Sequence, residues 1–140
     1  MDKRYLSSKL SKLSIIDKTK LNLEQYQLDV KSCVDFIFFV DYTIGIEGKS
    51  VADLGSGNGI IGIAASFFDP LYVDFYDIDP DMIKLSKENS DKEGLKNVAF
   101  YVKDFFDIDK KYDLVLSNPP FGFQSSFSIR AFISKLSDIA

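Results

Sequence analysis

Val51-Ala52-Asp53-Leu54-Gly55-Ser56-Gly57-Asn58-Gly59 is the stretch that decides the fold. Its apolar start reads as a buried strand. The three glycines at alternate positions then allow a tight turn and a close approach of backbone to whatever lies above it. The residues from Ile60 to Phe68 are apolar nearly all round, as expected of a helix buried against a sheet. The alternation continues with a strand over 71–76, a helix that Pro80 opens and Gly94 stops, and strands over 98–102 and 112–116. Met82, Leu85, Ser86 and Asn89 share one face of that helix. Such spacing predicts right-handed crossovers and a parallel sheet covered on both faces.

Upstream, Leu6, Leu10 and Leu13 recur at helical spacing and predict a helix over 4–14. A second helix is predicted over 24–40, with Tyr26, Val30, Cys33, Val34 and Ile37 on one face, and another over 127–139. Residues 1–140 thus read as one domain, a helical N-terminal cap (1–45) on a Rossmann-like, doubly wound α/β core (49–140). Cys33 lies on an apolar stripe, the position of a core thiol rather than a nucleophile.

Composition removes several chemistries. With no histidine, Ser-His and Cys-His catalysis and imidazole metal sites are excluded, and one cysteine allows neither an internal disulfide nor a cysteine-built metal centre. A single thiol predicts a cytoplasmic setting, and the lack of an 18-residue apolar run predicts no membrane partner. The net charge of −4 is unevenly spread: residues 1–20 carry six Lys/Arg against two Asp, a net +4, so the other 120 residues carry −8. That basic arm reads either as a contact for nucleic-acid phosphates or as a solvated amphipathic helix.

The glycine loop alone serves many nucleotide sites, or helix–sheet packing only. Its context narrows it, because Asp77 ends the second strand about 20 positions on, where a carboxylate accepts hydrogen bonds from ribose hydroxyls. Asp79 competes for that role but is better placed to cap the next helix. A dinucleotide brings a pyrophosphate, whereas the 53–59 loop opens with Asp53 and holds no Lys or Arg. S-adenosylmethionine carries a sulfonium and an ammonium and no phosphate, so it suits this acidic loop. Asp104, after the third strand, is either an adenine-amine acceptor or an exposed loop aspartate.

Asn118-Pro119-Pro120-Phe121 follows the fourth strand. The Asn118 amide oxygen and the Pro119 carbonyl together can accept both N–H bonds of an aromatic amine and aim its lone pair at a methyl group, with no strong base required. Pro120 stiffens the loop and Phe121 offers a face for stacking. The competing reading is a Pro-Pro loop that merely ends a strand, with Phe121 in the core.

With these residues in place, the chain resembles the class I S-adenosylmethionine-dependent methyltransferases. Leu23-Glu24-Gln25-Tyr26, the glycine loop, Asp77-Ile78-Asp79 and Asn118-Pro119-Pro120-Phe121-Gly122 together resemble the METTL5-like family, which methylates N6 of adenosine in small-subunit ribosomal RNA. The resemblance implies that Gln25 and the Leu28 position help close the cofactor site. It further implies that Gly55, Asn58 and Ile60 line the loop, that Asp77 holds the ribose, and that Asp104 and Phe105 border the adenine; Asp53, Gly57 and Gly59 of the same loop complete the expected cofactor site. The family usually has Pro-Thr where this chain has Gln27-Leu28, so Leu28 offers no hydroxyl. The resemblance also implies an RNA substrate and a small Trm112-like zinc-binding partner. The full fold it implies has seven strands; four are predicted here, the C-terminal ones lacking, which leaves the strand before Asn118 on an open edge. Two alternatives share these motifs: methylation of a glutamine amide or of DNA adenine, and an inactive cofactor-binding scaffold.

Overall fold

The computed structural model describes residues 1–15, 28–118 and 137–140. In chain order they form α1 (Lys3–Leu10), α2 (Val30–Thr43), β1 (Ser50–Leu54), α3 (Ile60–Ser66), β2 (Tyr72–Asp77), α4 (Pro80–Lys92), β3 (Val98–Val102), a 3-10 turn (Phe105–Asp107) and β4 (Leu114–Ser117). The four strands make one sheet in the order β3-β2-β1-β4, and every pairing is parallel. Chain direction across the sheet reverses between β1 and β4, and the crevice at such a reversal is where open α/β sheets hold their ligands.

The helix boundaries follow from local chemistry. Asp2, Asp29 and Asp79 are the N-caps of α1, α2 and α4, each accepting a hydrogen bond from a first-turn backbone amide. Pro80 occupies the first turn of α4, where its missing N–H costs nothing. The helix predicted over 4–14 ends at Leu10, because the Leu13 amide turns back to the Leu10 carbonyl (3.2 Å) in a tighter closing turn. The helix predicted from Glu24 starts at Val30 among the described residues, where Asp29 supplies the cap; 24–27 lie outside them. Most of the helix predicted over 127–139 also lies outside.

One sheet face carries Val51, Val73, Phe75, Leu114 and Leu116, packed with Leu6 and Leu10 of α1, Cys33, Val34 and Ile37 of α2, and the whole inner surface of α3. The predicted cap is therefore a layer on the same face as α3. α4 runs along β2 and β3, and Glu93 at its end meets Lys9 of α1 at 3.9 Å.

The opposite face is built differently. Ala52, Leu54 and Tyr76 meet Ile108, Tyr112 and Ile139. Buried Asp74 accepts from the Tyr112 hydroxyl (2.6 Å) and from Lys110 Nζ (3.0 Å), and the Tyr112 and Tyr76 hydroxyls are themselves bonded. A buried carboxylate requires such partners. Tyr112, predicted within the fourth strand, lies just before it and serves this network instead, its backbone N–H donating to the Ile139 carbonyl (2.8 Å).

Candidate functional site

The register brings the strand ends level: Leu54 is opposite Tyr76 and Ser117, and Asp77 is opposite Val102. The segments starting at Gly55, Ile78, Lys103 and Asn118 therefore leave the sheet along one edge. Gly55 and Asn118 flank the chain reversal. Ser117 Oγ donates to the Leu54 carbonyl (3.1 Å) and holds the two exits together.

Gly55, Gly57 and Gly59 have φ of +67°, +56° and +86°, a region that side chains rarely occupy, so the loop needs glycine at all three. The Ser56 amide donates to the Tyr76 carbonyl (2.9 Å) and anchors the loop to the end of β2. Asp77 Oδ2 accepts the Gly57 amide (3.0 Å) while Oδ1 accepts that of Asp79 (2.9 Å). The carboxylate keeps lone-pair capacity for a hydroxyl. Burial raises the Asp77 carboxyl above its ordinary range, and the amides of Asp79 and Gly57 oppose that shift. Asp79, the competing candidate, caps α4 through Asp81 N (2.9 Å).

Asp53 is turned beneath the loop. It is buried, and its Oδ2 accepts the Gly62 amide of α3 at 2.9 Å. Burial pushes its carboxyl up to about 7, with the Gly62 amide lowering it and the Asp77 charge raising it. Asn58 is buried as well: its amide donates to the Ser14 carbonyl (3.3 Å) and its oxygen accepts from Ile60 N (3.3 Å). Ile60 thus touches the loop through its backbone, and its side chain joins the core. Leu28 packs half-buried against that core.

Asp104 is half-buried, and its Oδ1 accepts from Phe106 N (2.9 Å), capping the 3-10 turn. Phe105 packs partly against the tyrosine-lined core, edge-on to the ring of Phe106. Sequence reasoning passed over Ile78. This side chain follows Asp77 directly and is 69% exposed, an aliphatic surface at the edge where the acidic residues gather. An isoleucine set between two aspartates just beyond a predicted strand was the available signal. Gln25, Pro119, Pro120 and Phe121 lie outside the described residues, whereas Asn118 lies within them. Among the described residues there is no group of acidic and thiol side chains able to hold a metal ion, and no helix long and apolar enough to cross a membrane.

A glycine loop without cations, a strand-ending carboxylate with free lone pairs and an exposed apolar side chain beside it fit a nucleoside that carries positive charge. The donor set does not fit a pyrophosphate, which needs a cation or a run of free amides.

Residues 38–136 match the family model of the methyltransferase small domain. The chain is 32% identical over 127 residues to the rRNA N(6)-adenosine-methyltransferase METTL5 of Danio rerio, covering 87% of this chain and 61% of that protein. It is 40% identical over 80 residues to the release factor glutamine methyltransferase of Fusobacterium nucleatum, covering 54% of this chain and 23% of that protein. The crystal structure of PH1948 from Pyrococcus horikoshii superposes with a TM-score of 0.86 at 30% identity, covering 98% of this chain and 69% of that one. The chain therefore spans between about a quarter and about two thirds of the length of these three relatives.

Proposed function

Since the chain belongs to the methyltransferase small-domain family, whose members use S-adenosylmethionine, we propose that it methylates N6 of adenosine in RNA, with small-subunit ribosomal RNA as the substrate. The observation that carries this reading is the position of Asn118, which leaves β4 beside the glycine loop at the chain reversal. An acceptor amine held there stands next to the cofactor loop.

S-adenosylmethionine supplies an electrophilic methyl group. Asp77 holds the ribose hydroxyls, Asp104 accepts from the adenine amine, and Ile78 and Phe105 flank the base. Gly55, Gly57 and Gly59 let the backbone approach the amino-acid end, with Asp53 beneath them. On the acceptor side, the Asn118 carbonyl oxygen and the Pro119 carbonyl accept the two N–H bonds of the target amine, and Phe121 stacks on its ring. Positioning of this kind leaves the nitrogen lone pair directed at the methyl group. The basic segment 1–20 contributes contacts to RNA phosphates. A Trm112-like protein extends the surface of an otherwise acidic body, in the cytoplasm.

The similarity to a release factor glutamine methyltransferase supports a second reading, a glutamine side-chain amide as acceptor. Both acceptors present a planar nitrogen with two N–H bonds, so Asn-Pro-Pro-Phe suits either.

Calorimetry with S-adenosylmethionine, followed by transfer of labelled methyl to small-subunit ribosomal RNA and to a glutamine-bearing release-factor fragment, separates these readings. Transfer to RNA that Asn118→Ala abolishes is the expected result. Transfer to the protein fragment alone establishes the second reading. Cofactor binding with no transfer to either, with a Trm112-like protein present, identifies a scaffold, and absence of binding overturns all three.

A further inference from the structure

Three side chains one turn apart on α4 hold two separate backbone segments. Ser86 Oγ donates to the Gly57 carbonyl at 2.7 Å and is bonded to Ser56 Oγ at 3.0 Å. Asn89, fully buried, donates from one amide nitrogen to the Asn58 carbonyl (2.8 Å) and to the Ser14 carbonyl (3.0 Å), and its oxygen accepts from Ser14 N (2.8 Å). Lys92 Nζ donates to Ser14 Oγ at 2.5 Å. Asn58 closes the circuit by donating to the same Ser14 carbonyl.

Asn89 thus grips both polar atoms of the Ser14 backbone, as a neighbouring strand would. The same amide holds the glycine loop at the one residue that also touches Ser14. A shift of Asn58 leaves its own buried amide and an Asn89 N–H without partners, and a shift of Ser14 leaves the Asn89 oxygen and an Asn89 N–H without theirs. A network that is either fully satisfied or costly couples its two ends.

We propose that Asn89 is a positioning residue that couples the Ser14 segment of the N-terminal arm to the cofactor loop, so that binding S-adenosylmethionine tightens the arm and a docked arm tightens cofactor binding. Such coupling is reciprocal. The proposal rests on the glycine loop being the cofactor site. It extends that reading by giving the N-terminal arm a thermodynamic share in it.

The decisive measurement is hydrogen exchange at the Ser14 amide in the full chain, with and without saturating S-adenosylmethionine. In the unaltered protein the cofactor is expected to slow this exchange by about five- to fiftyfold, an ordinary coupling. Asn89→Ala and Asn89→Ser are expected to weaken cofactor affinity by a similar factor and to abolish the cofactor's effect on Ser14. Ser90→Ala, a neighbouring buried position whose hydroxyl has no partner, should change neither. Purely structural stapling would lower the melting temperature of the Asn89 variants and leave their cofactor affinity intact once folded, which overturns the proposal. Should neither variant fold, the unaltered chain still decides: cofactor binding without added protection at Ser14 refutes the coupling alone. Failure to bind the cofactor at all refutes the underlying site.

Discussion

Gly62 lies so close to Phe75 that a methyl group added to it would come within 2.3 Å of the ring and 3.0 Å of Asp53 Oδ2. The contact sets the separation of α3 from the sheet, and hence the height at which the glycine loop leaves β1. Gly62→Ala is expected to destabilise the fold by about 1–3 kcal/mol, the usual range for overpacking. Phe75 stacks on Phe100 (4.9 Å between centroids) and has no free side to retreat to. Urea unfolding of Gly62→Ala, and of Gly62→Ala with Phe75→Leu, checks this; the second change should recover part of the loss.

Asp53 makes stability depend on pH with a definite sign. Its folded carboxyl, up to about 7 against an ordinary 3.8, keeps its proton where the unfolded chain has lost it. Between about pH 4 and 7 folding therefore takes up a proton, and this contribution to stability falls as pH rises, levelling off above 7. Asp53→Asn keeps an acceptor for the Gly62 amide and removes the charge. The variant should gain stability relative to the parent by about 1–3 kcal/mol at pH 8 and lose that advantage at pH 4, as thermal unfolding at the two pH values will show.

Cys33 should be inert. It is fully buried, its thiol lies 3.7 Å from the Ile60 carbonyl, and burial with the charges of Asp53 and Asp29 pushes its pKa up to about 12. Reaction with a thiol reagent such as dithionitrobenzoate at pH 8 is expected only at the rate of global unfolding. Prompt labelling of native protein would contradict the packing of α2 against α3.

Asp77→Ala is expected to weaken S-adenosylmethionine binding about ten- to hundredfold, the worth of charge-assisted hydrogen bonds to two hydroxyls. The Gly57 amide also loses its acceptor in this variant. Titration with both S-adenosylmethionine and methionine separates the two effects: a ribose contact weakens only the nucleoside ligand, whereas a collapsed loop weakens both. Wild-type affinity in the variant would remove Asp77 from the site.

Much of the backbone framework at this sheet edge was legible because its grammar is local. A glycine triplet after an apolar run, and an aspartate closing the next strand, are requirements of chain direction and backbone conformation within a few residues. Asp79 as a helix cap was legible for the same reason, since capping depends on the three residues that follow. Tyr112 was misplaced because its partners, Asp74 and Tyr76, are more than 30 residues away, and a tyrosine at a strand's edge carries no local mark of the carboxylate it will meet. Asn89 was seen only as one member of a helix face; the spacing could not reveal that the face meets two backbone segments at once.

By itself the sequence determined the alternation of strands and helices, the glycine loop, the acidic residue at the end of β2 and the absence of imidazole chemistry. Each follows from residue type and short-range spacing. Only the tertiary structure decided which residues share a wall: that Asp53 faces downward into the core while Asp77 stays at the edge, that Gly62 lies against the Phe75 ring, and that Ser14, Asn58 and Asn89 form one network. Those relations depend on parallel strand order and on helix–sheet distance, set by the packing of side chains far apart in the chain and invisible to any window along it.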